Sequence, residues 1–112
     1  MHMQDSDTYR EAICPVAQVA LLLGDTCSLL IIRDLLSGPK RFKDFQTSLV
    51  GISSRTITNK LKKLEAANIL TRKEFKEKPP KVEYSMTKGD KTLSRLINEM
   101  RAFGIKTLPT SE

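Results

Sequence analysis

Apolar positions recur at helical spacing in five stretches and in alternation in two, and that pattern lays out the chain. The apolar run from Pro15 to Leu23 predicts a first helix. Pro15 suits its first position, where the missing N–H goes unused, and Gly24 stops it. Ser28 or Thr26 can cap a second helix running to about Leu36. Leu29, Leu30, Ile31, Ile32, Leu35 and Leu36 make that helix apolar on most sides, which places it at the centre of the fold. Ser37-Gly38-Pro39 ends it. A short third helix over Lys43–Leu49 buries Phe42, Phe45 and Leu49, and Val50-Gly51-Ile52 forms the turn after it.

Ser53 caps a fourth helix that extends to about Ala67, and Asn68 suits the left-handed residue that follows a helix. Residues Ile69–Phe75 and Lys81–Met86 alternate well enough to pair as a hairpin, with Pro79-Pro80 in the loop where neither ring blocks a ladder hydrogen bond. Thr87-Lys88-Gly89-Asp90 resembles a capping box with Asp in the Glu position. The helix it introduces carries Leu93, Leu96, Ile97, Met100 and Phe103 at helical spacing and ends at Gly104. The class is α+β, mainly helical. Three helices, a polar helix, a hairpin and a final helix are the parts of a winged helix-turn-helix domain.

At 112 residues the chain has room for one core. Residues 1–12 read as a flexible N-terminal segment, 13–106 as the domain and 107–112 as a tail. Charge sharpens the picture. The formal net charge is +6, but residues 40–81 hold twelve Lys and Arg against four Asp and Glu, so the surplus lies wholly in that segment. A localised basic face suits a polyanion, although a merely solvated basic surface has the same composition. The apolar stretch from Val19 to Leu23 is interrupted by Gly24-Asp25-Thr26, far short of the roughly 20 residues that span a bilayer, so no membrane is expected. With two cysteines and no signal peptide, the expectation is a cytoplasmic protein without a disulfide framework.

Within the fourth helix, Ile57, Leu61 and Leu64 recur at i, i+4 and i+7 and point inward. Arg55, Asn59 and Lys62 then lie on the opposite face, with Ser53 and Ser54 at its start and Thr56 and Thr58 alongside. These side-chain types suit a major groove. Arg can fork to guanine, Asn to adenine, and Thr can meet a phosphate or the thymine methyl. Lys60 and Lys63 flank this face and are expected to touch backbone phosphate. An ordinary amphipathic surface helix also has a Lys-rich outer face, but it normally carries Glu for i,i+4 pairs. No acidic residue occurs between Ser53 and Leu64. Lys76, Lys78 and Lys81 would arm the hairpin tip as a wing; the bland reading is a solubilising loop. The expected partner is double-stranded DNA.

In this order the motifs resemble the HxlR family of winged-helix transcriptional regulators, related to the MarR group. The resemblance runs from about Cys14 to Gly104 and rests on Cys14-Pro15-Val16, LLIIRDLL (29–36), GPKRFKDF (38–45), GISSRTITNKLKKLE (51–65) and PPKVEYSMTKGD (79–90). It implies a homodimer on a palindromic operator, with N- and C-terminal dimerisation helices packed across a two-fold axis. Val16, Val19, Leu93, Leu96, Ile97, Met100 and Phe103 would form that interface; a last helix folded only onto its own domain is the alternative. Two departures stand out: Cys27 occupies the place where the family usually has Trp, and Ser54 one where Pro is common.

Cys14 directly precedes Pro15, at the cap of the first helix, where free N–H groups and the positive dipole end stabilise a thiolate. Several members of the resembled family sense oxidants or electrophiles through such an N-terminal cysteine, which makes Cys14 the candidate sensor. A structural thiol is the competing reading, and Glu11 one turn earlier would oppose ionisation. Cys27 reads as core. The effector would be a reactive electrophile or a small molecule held in the dimer core. Two cysteines and the lone His2 do not make a zinc site, and no acid–base pair, nucleophile elbow or phosphate-binding glycine loop is present. Neither cofactor nor enzymatic activity is expected. The rival to an operator-specific regulator is a winged-helix module that binds nucleic acid without sequence choice, or binds protein.

Overall fold

The computed structural model describes residues 14–88 and 91–109. Five helices and one hairpin follow in the expected order: α1 (Pro15–Leu23), α2 (Thr26–Leu35), α3 (Phe42–Ser48), α4 (Ser54–Ala66), β1 (Leu70–Phe75), β2 (Lys81–Met86) and α5 (Thr92–Thr107). Helix α2 occupies the centre. Its Cys27, Ile31, Ile32 and Leu35 meet Phe45 and Leu49 from the α3 segment, Ile57, Leu61 and Leu64 from α4, and Leu70 from β1. Leu23 and Ile97 close this core from α1 and α5. Leu36 lies at the surface, so the apolar girdle of α2 is incomplete on that side.

Local chemistry explains most element ends. Pro15 opens α1 behind Cys14, whose extended backbone accepts the Gln18 N–H at 3.0 Å. At Gly24 the backbone lies against the Ala20 carbonyl so closely that a Cβ would collide with it. The chain turns there, and α2 leaves at 87° to α1. The cap of α2 is neither Thr26 nor Ser28, as expected, but Asp25, whose Oδ2 accepts the Ser28 N–H at 2.9 Å. An Asp one residue outside a helix reaches its third N–H, whereas Thr26 and Ser28 already have helical backbone and cannot serve it. Helix α3 starts at Phe42, one residue earlier than predicted, because Asp44 accepts the Arg41 N–H at 2.8 Å. Asn68 is left-handed, with φ of 62°, as the sequence suggests.

The hairpin pairs Leu70 with Met86 through to Phe75 with Lys81. Lys40 adds a bridge to β2: its N–H donates to the Tyr84 carbonyl at 2.9 Å, and the Tyr84 N–H returns a bond of 2.8 Å. Tyr84 also meets Phe45 edge-on, with centroids 6.0 Å apart. The hairpin is thereby fixed to the helical body at its middle.

Two expectations about the last helix are corrected. It begins at Thr92 behind Lys91, with no side-chain cap, so Thr87 does not cap it. The Thr87 N–H instead donates to the Ile69 carbonyl at 3.0 Å and belongs to the hairpin; Gly89 and Asp90 lie outside the described residues. Nor does α5 stop at Gly104. It continues to Thr107, where the Leu108 N–H closes on the Gly104 carbonyl at 2.9 Å. A glycine inside a helix costs only about 1 kcal/mol, which flanking helix formers can offset. The N-terminal segment expected to be flexible, 1–12, and the end of the tail, 110–112, also lie outside the described residues.

Ile57 is fully buried at the contact between α4 and α2. Ile57→Ala is expected to lower unfolding free energy by about 2–5 kcal/mol, measured by urea denaturation. A loss below about 1 kcal/mol would mean that α4 is not held by this contact.

Candidate nucleic-acid interface

Helix α4 follows α3 after a short turn, and its first residues are occupied locally. Ser53 Oγ accepts the Thr56 N–H at 3.1 Å and donates to Thr56 Oγ1 at 3.0 Å. Ser54 Oγ accepts from Gln46 Nε2 at 2.9 Å, which ties the start of α4 to α3. Ile57, Leu61 and Leu64 face the core. The face opposite carries Arg55, Asn59 and Lys62, all exposed and with neither hydrogen bond nor ion pair among the described residues. Thr58 and Lys62 line a shallow recess of about 180 Å³ against Arg72 and Tyr84 of the hairpin. The expected readers therefore share one surface, whereas Ser53, Ser54 and Thr56 sit at its edge with their hydroxyls engaged.

Lys60 and Lys63 behave differently. Lys63 Nζ lies 3.1 Å from Asp25 Oδ1, and Lys60 Nζ lies 3.8 Å from the same oxygen. The carboxylate that caps α2 thus also gathers two ammoniums from α4. Partial burial alone would raise the Asp25 carboxyl. The Ser28 backbone N–H, the nearby Ser28 hydroxyl and the Lys63 ammonium together outweigh it and bring Asp25 down to about 2. The sequence contains the signal for this site, an Asp directly before an apolar run, but gives no hint of which distant lysines would meet it.

The wing is basic at its tip. Lys76 and Lys78 are exposed and unpaired among the described residues. Lys81 is less free: its Nζ sits 4.5 Å from the centroid of the Phe75 ring and 3.7 Å from Glu83 Oε2. Lys73 approaches the same ring at 5.0 Å, and Arg72 lies 3.7 Å from Glu74.

On another side of the molecule, α1 and α5 bound an open apolar groove of about 450 Å³, lined in part by Pro15, Val16, Val19, Leu23, Leu96 and Met100. Of the residues expected at a dimer interface, Val16, Val19, Leu96, Met100 and Phe103 are exposed. Leu93 is half-buried against the protomer's core, and Ile97 belongs to that core at 7% exposure. Ile105 and Leu108 extend the exposed stripe beyond the predicted helix end, at 70% and 58% exposure.

Both cysteines are free thiols. Cys14 is exposed at the start of α1, whereas Cys27 is buried. Burial first, and then the Asp25 carboxylate, push the Cys27 thiol up and disfavour its thiolate. Cys27, in the place where the resembled family usually has Trp, is buried at 5% exposure. Among the described residues no group of three His, Cys, Asp or Glu could hold a metal, and His2 lies outside them. No single helix is long and apolar enough to cross a membrane.

With this geometry in hand, comparison with known proteins is informative. A sequence profile described as HxlR-like helix-turn-helix matches residues 22–112. The HTH-type transcriptional regulator YodB of Bacillus subtilis is 37% identical over 92 residues, covering 81% of this chain and 82% of YodB. The uncharacterised HTH-type regulator YdeP of the same species is 34% identical over 93 residues, covering 83% of this chain and 73% of its own. Among solved structures, the redox regulator HypR in its oxidised form superimposes with a TM-score of 0.80 at 31% identity, covering 87% of this chain and all of HypR. Reduced YodB superimposes with a TM-score of 0.72 at 34% identity, covering 89% of this chain and 99% of YodB. These relatives are regulators rather than enzymes.

The low Asp25 value gives stability a pH signature. The folded carboxyl, at about 2, ionises more readily than the ordinary unfolded value of about 3.9. Its contribution is therefore complete above about pH 4 and is lost as pH falls toward 2. Asp25→Ala should cost about 1–2 kcal/mol at pH 7, cap and solvent-screened ion pair together. The difference from wild type should shrink between about pH 4 and 2, followed by thermal unfolding. A deficit constant across that range would mean that Ser28 and Lys63 do not together favour the ionised Asp25.

Proposed function

This chain belongs to the HxlR-like helix-turn-helix family of transcriptional regulators, and on that premise we propose that it binds a palindromic DNA operator as a homodimer. The observation that carries the reading is the outer face of α4. Arg55, Asn59 and Lys62 stand exposed with no partner among the described residues, on a helix whose opposite face is locked into the core. Groups that can fork to a base edge and are left unpaired fit a major groove. Thr58 lies beside them, Ser53, Ser54 and Thr56 present the helix N-terminus to a phosphate, and Lys76, Lys78 and Lys81 arm the wing for the neighbouring backbone. Lys60 and Lys63 join this surface only insofar as Asp25 releases them.

The α1–α5 side supports the homodimer. Val16, Val19, Leu96, Met100 and Phe103 expose an apolar stripe that a single copy leaves in water. A stripe of this kind on a soluble protein marks an interface. Two copies joined through it would present their α4 helices to half-sites roughly one helical turn apart, about 34–36 Å. Leu93 and Ile97 would support the interface from beneath.

Switching is assigned to Cys14. HypR is described as a redox regulator, and YodB has a diamide-treated form. In this chain the exposed thiol stands at the start of α1, directly before Pro15, which lines the α1–α5 groove. Its modification by an oxidant or electrophile would alter how α1 meets its partner. The groove itself could take a small apolar effector, giving a non-covalent route to the same rearrangement. Cys27, buried and disfavoured as a thiolate, has no part in this.

Three measurements test the reading. Arg55→Ala or Asn59→Ala should cost about 1–3 kcal/mol on the operator and relax preference at one base position. Equal losses on operator and random duplex would instead support a module that binds without sequence choice. Phe103→Glu should turn a dimer into a monomer in sedimentation; an unchanged sedimentation coefficient would place the interface elsewhere. Cys14→Ser should abolish the response of operator binding to diamide or quinone, and a full response in that variant would remove Cys14 from the switch.

A further inference from the structure

Helical spacing separates Lys62 from Lys60 and Lys63, and the fold adds that the latter pair meets a carboxylate. Lys62 projects freely, whereas Lys60 and Lys63 converge on a single oxygen, Asp25 Oδ1. Lys63 lies one helical turn beyond Asn59 and borders the outer face of α4, whereas Lys60, about 100° round the helix from Asn59, stands on the flank toward Leu64. The carboxylate that holds them does not depend on them, because its other oxygen keeps the Ser28 N–H at 2.9 Å. All three side chains remain about one-third exposed. A phosphate oxygen offers each ammonium what the carboxylate offers, in the same partly hydrated setting. Asp25 and a DNA phosphate therefore compete for the same two cations.

We propose that Asp25 is an electrostatic brake on DNA binding: it withholds Lys60 and Lys63 from the phosphate backbone, so that this helix binds duplex with less charge than its sequence offers. The proposal rests on the DNA-binding reading above and adds to it the residue that sets its strength. The brake acts on affinity without choosing a base, because phosphate contacts carry no sequence information. Its position follows from the fold. Asp25 comes immediately after Gly24, whose close approach to the Ala20 carbonyl fixes where α1 ends and hence where the carboxylate stands.

The test uses Asp25→Asn, which removes the charge but keeps a side-chain oxygen for the Ser28 N–H and so preserves the cap. Binding to a labelled random-sequence duplex is followed by fluorescence anisotropy across a potassium chloride series. D25N should bind about three- to tenfold tighter, and its log K against log salt should steepen by about 1–2, near 0.9 for each phosphate newly neutralised. Lys63→Gln, made in both backgrounds, separates release from the mere loss of a nearby negative charge. The lysine should matter at least about threefold more in D25N than in wild type, since only there is it free to reach phosphate. The brake is overturned if D25N binds equally or more weakly, or if K63Q costs the same in both backgrounds. Absence of duplex binding by wild type and D25N alike would overturn the DNA-binding reading and the brake with it. Binding by wild type with no change in D25N removes the brake alone.

Discussion

Burial of Ile57, Leu61 and Leu64 against α2 governs the azimuth of α4, and everything exposed on that helix inherits its direction from this contact. Each of these side chains contributes on the order of 1.5–3 kcal/mol by leaving water, an upper figure because the unfolded chain already hides some of its apolar surface. Rotation of the helix by even one residue, about 100°, would expose them and bury charged groups. The direction of the polar face is thus set chiefly by apolar burial, with Ser54–Gln46 and Lys63–Asp25 as secondary ties. Arg55, Asn59 and Lys62 are positioned by what lies on the far side of their own helix.

The same logic fails at the α1–α5 side, and the failure is informative. There the apolar stripe has no partner among the described residues, and Val16, Met100, Phe103 and Ile105 are exposed. Within the described residues the apolar face of α4 is covered, whereas that of the flanking helices is not. Between the two regions stands Asp25. It follows the Gly24 that borders the apolar groove, caps α2, and meets α4 through Lys63. A single carboxylate links the end of α1 to the outer helix across the core.

Much of this was readable from spacing. The inward triad of α4, the central position of α2, the left-handed Asn68 and the register-forming strands all follow from periodicity and local preference, which tertiary packing reinforced. What could not be read depended on distance in three dimensions. The cap of α2 was sought at Thr26 or Ser28 because hydroxyls are common caps; Asp25 is a better one, but its value also comes from lysines about forty positions away. Periodicity puts Lys60 and Lys63 to one side of Lys62, but not beside Asp25, which is distant in sequence. The end of α5 was placed at Gly104 on local preference, yet a glycine is tolerated where the helix continues on both sides. Thr87 was read as a cap from its neighbours in sequence and proved to belong to the hairpin through Ile69.

The account stands on one face of α4 being dry and the other being the contact surface. Chemical-shift mapping of the isotope-labelled protein during titration with duplex DNA examines both faces at once. The largest perturbations are expected at the Arg55, Asn59 and Lys62 side chains and at the Lys76–Lys78 tip. The methyl signals of Ile57, Leu61 and Leu64 should remain nearly in place. Perturbations concentrated on the α1–α5 groove, with α4 silent, would contradict it.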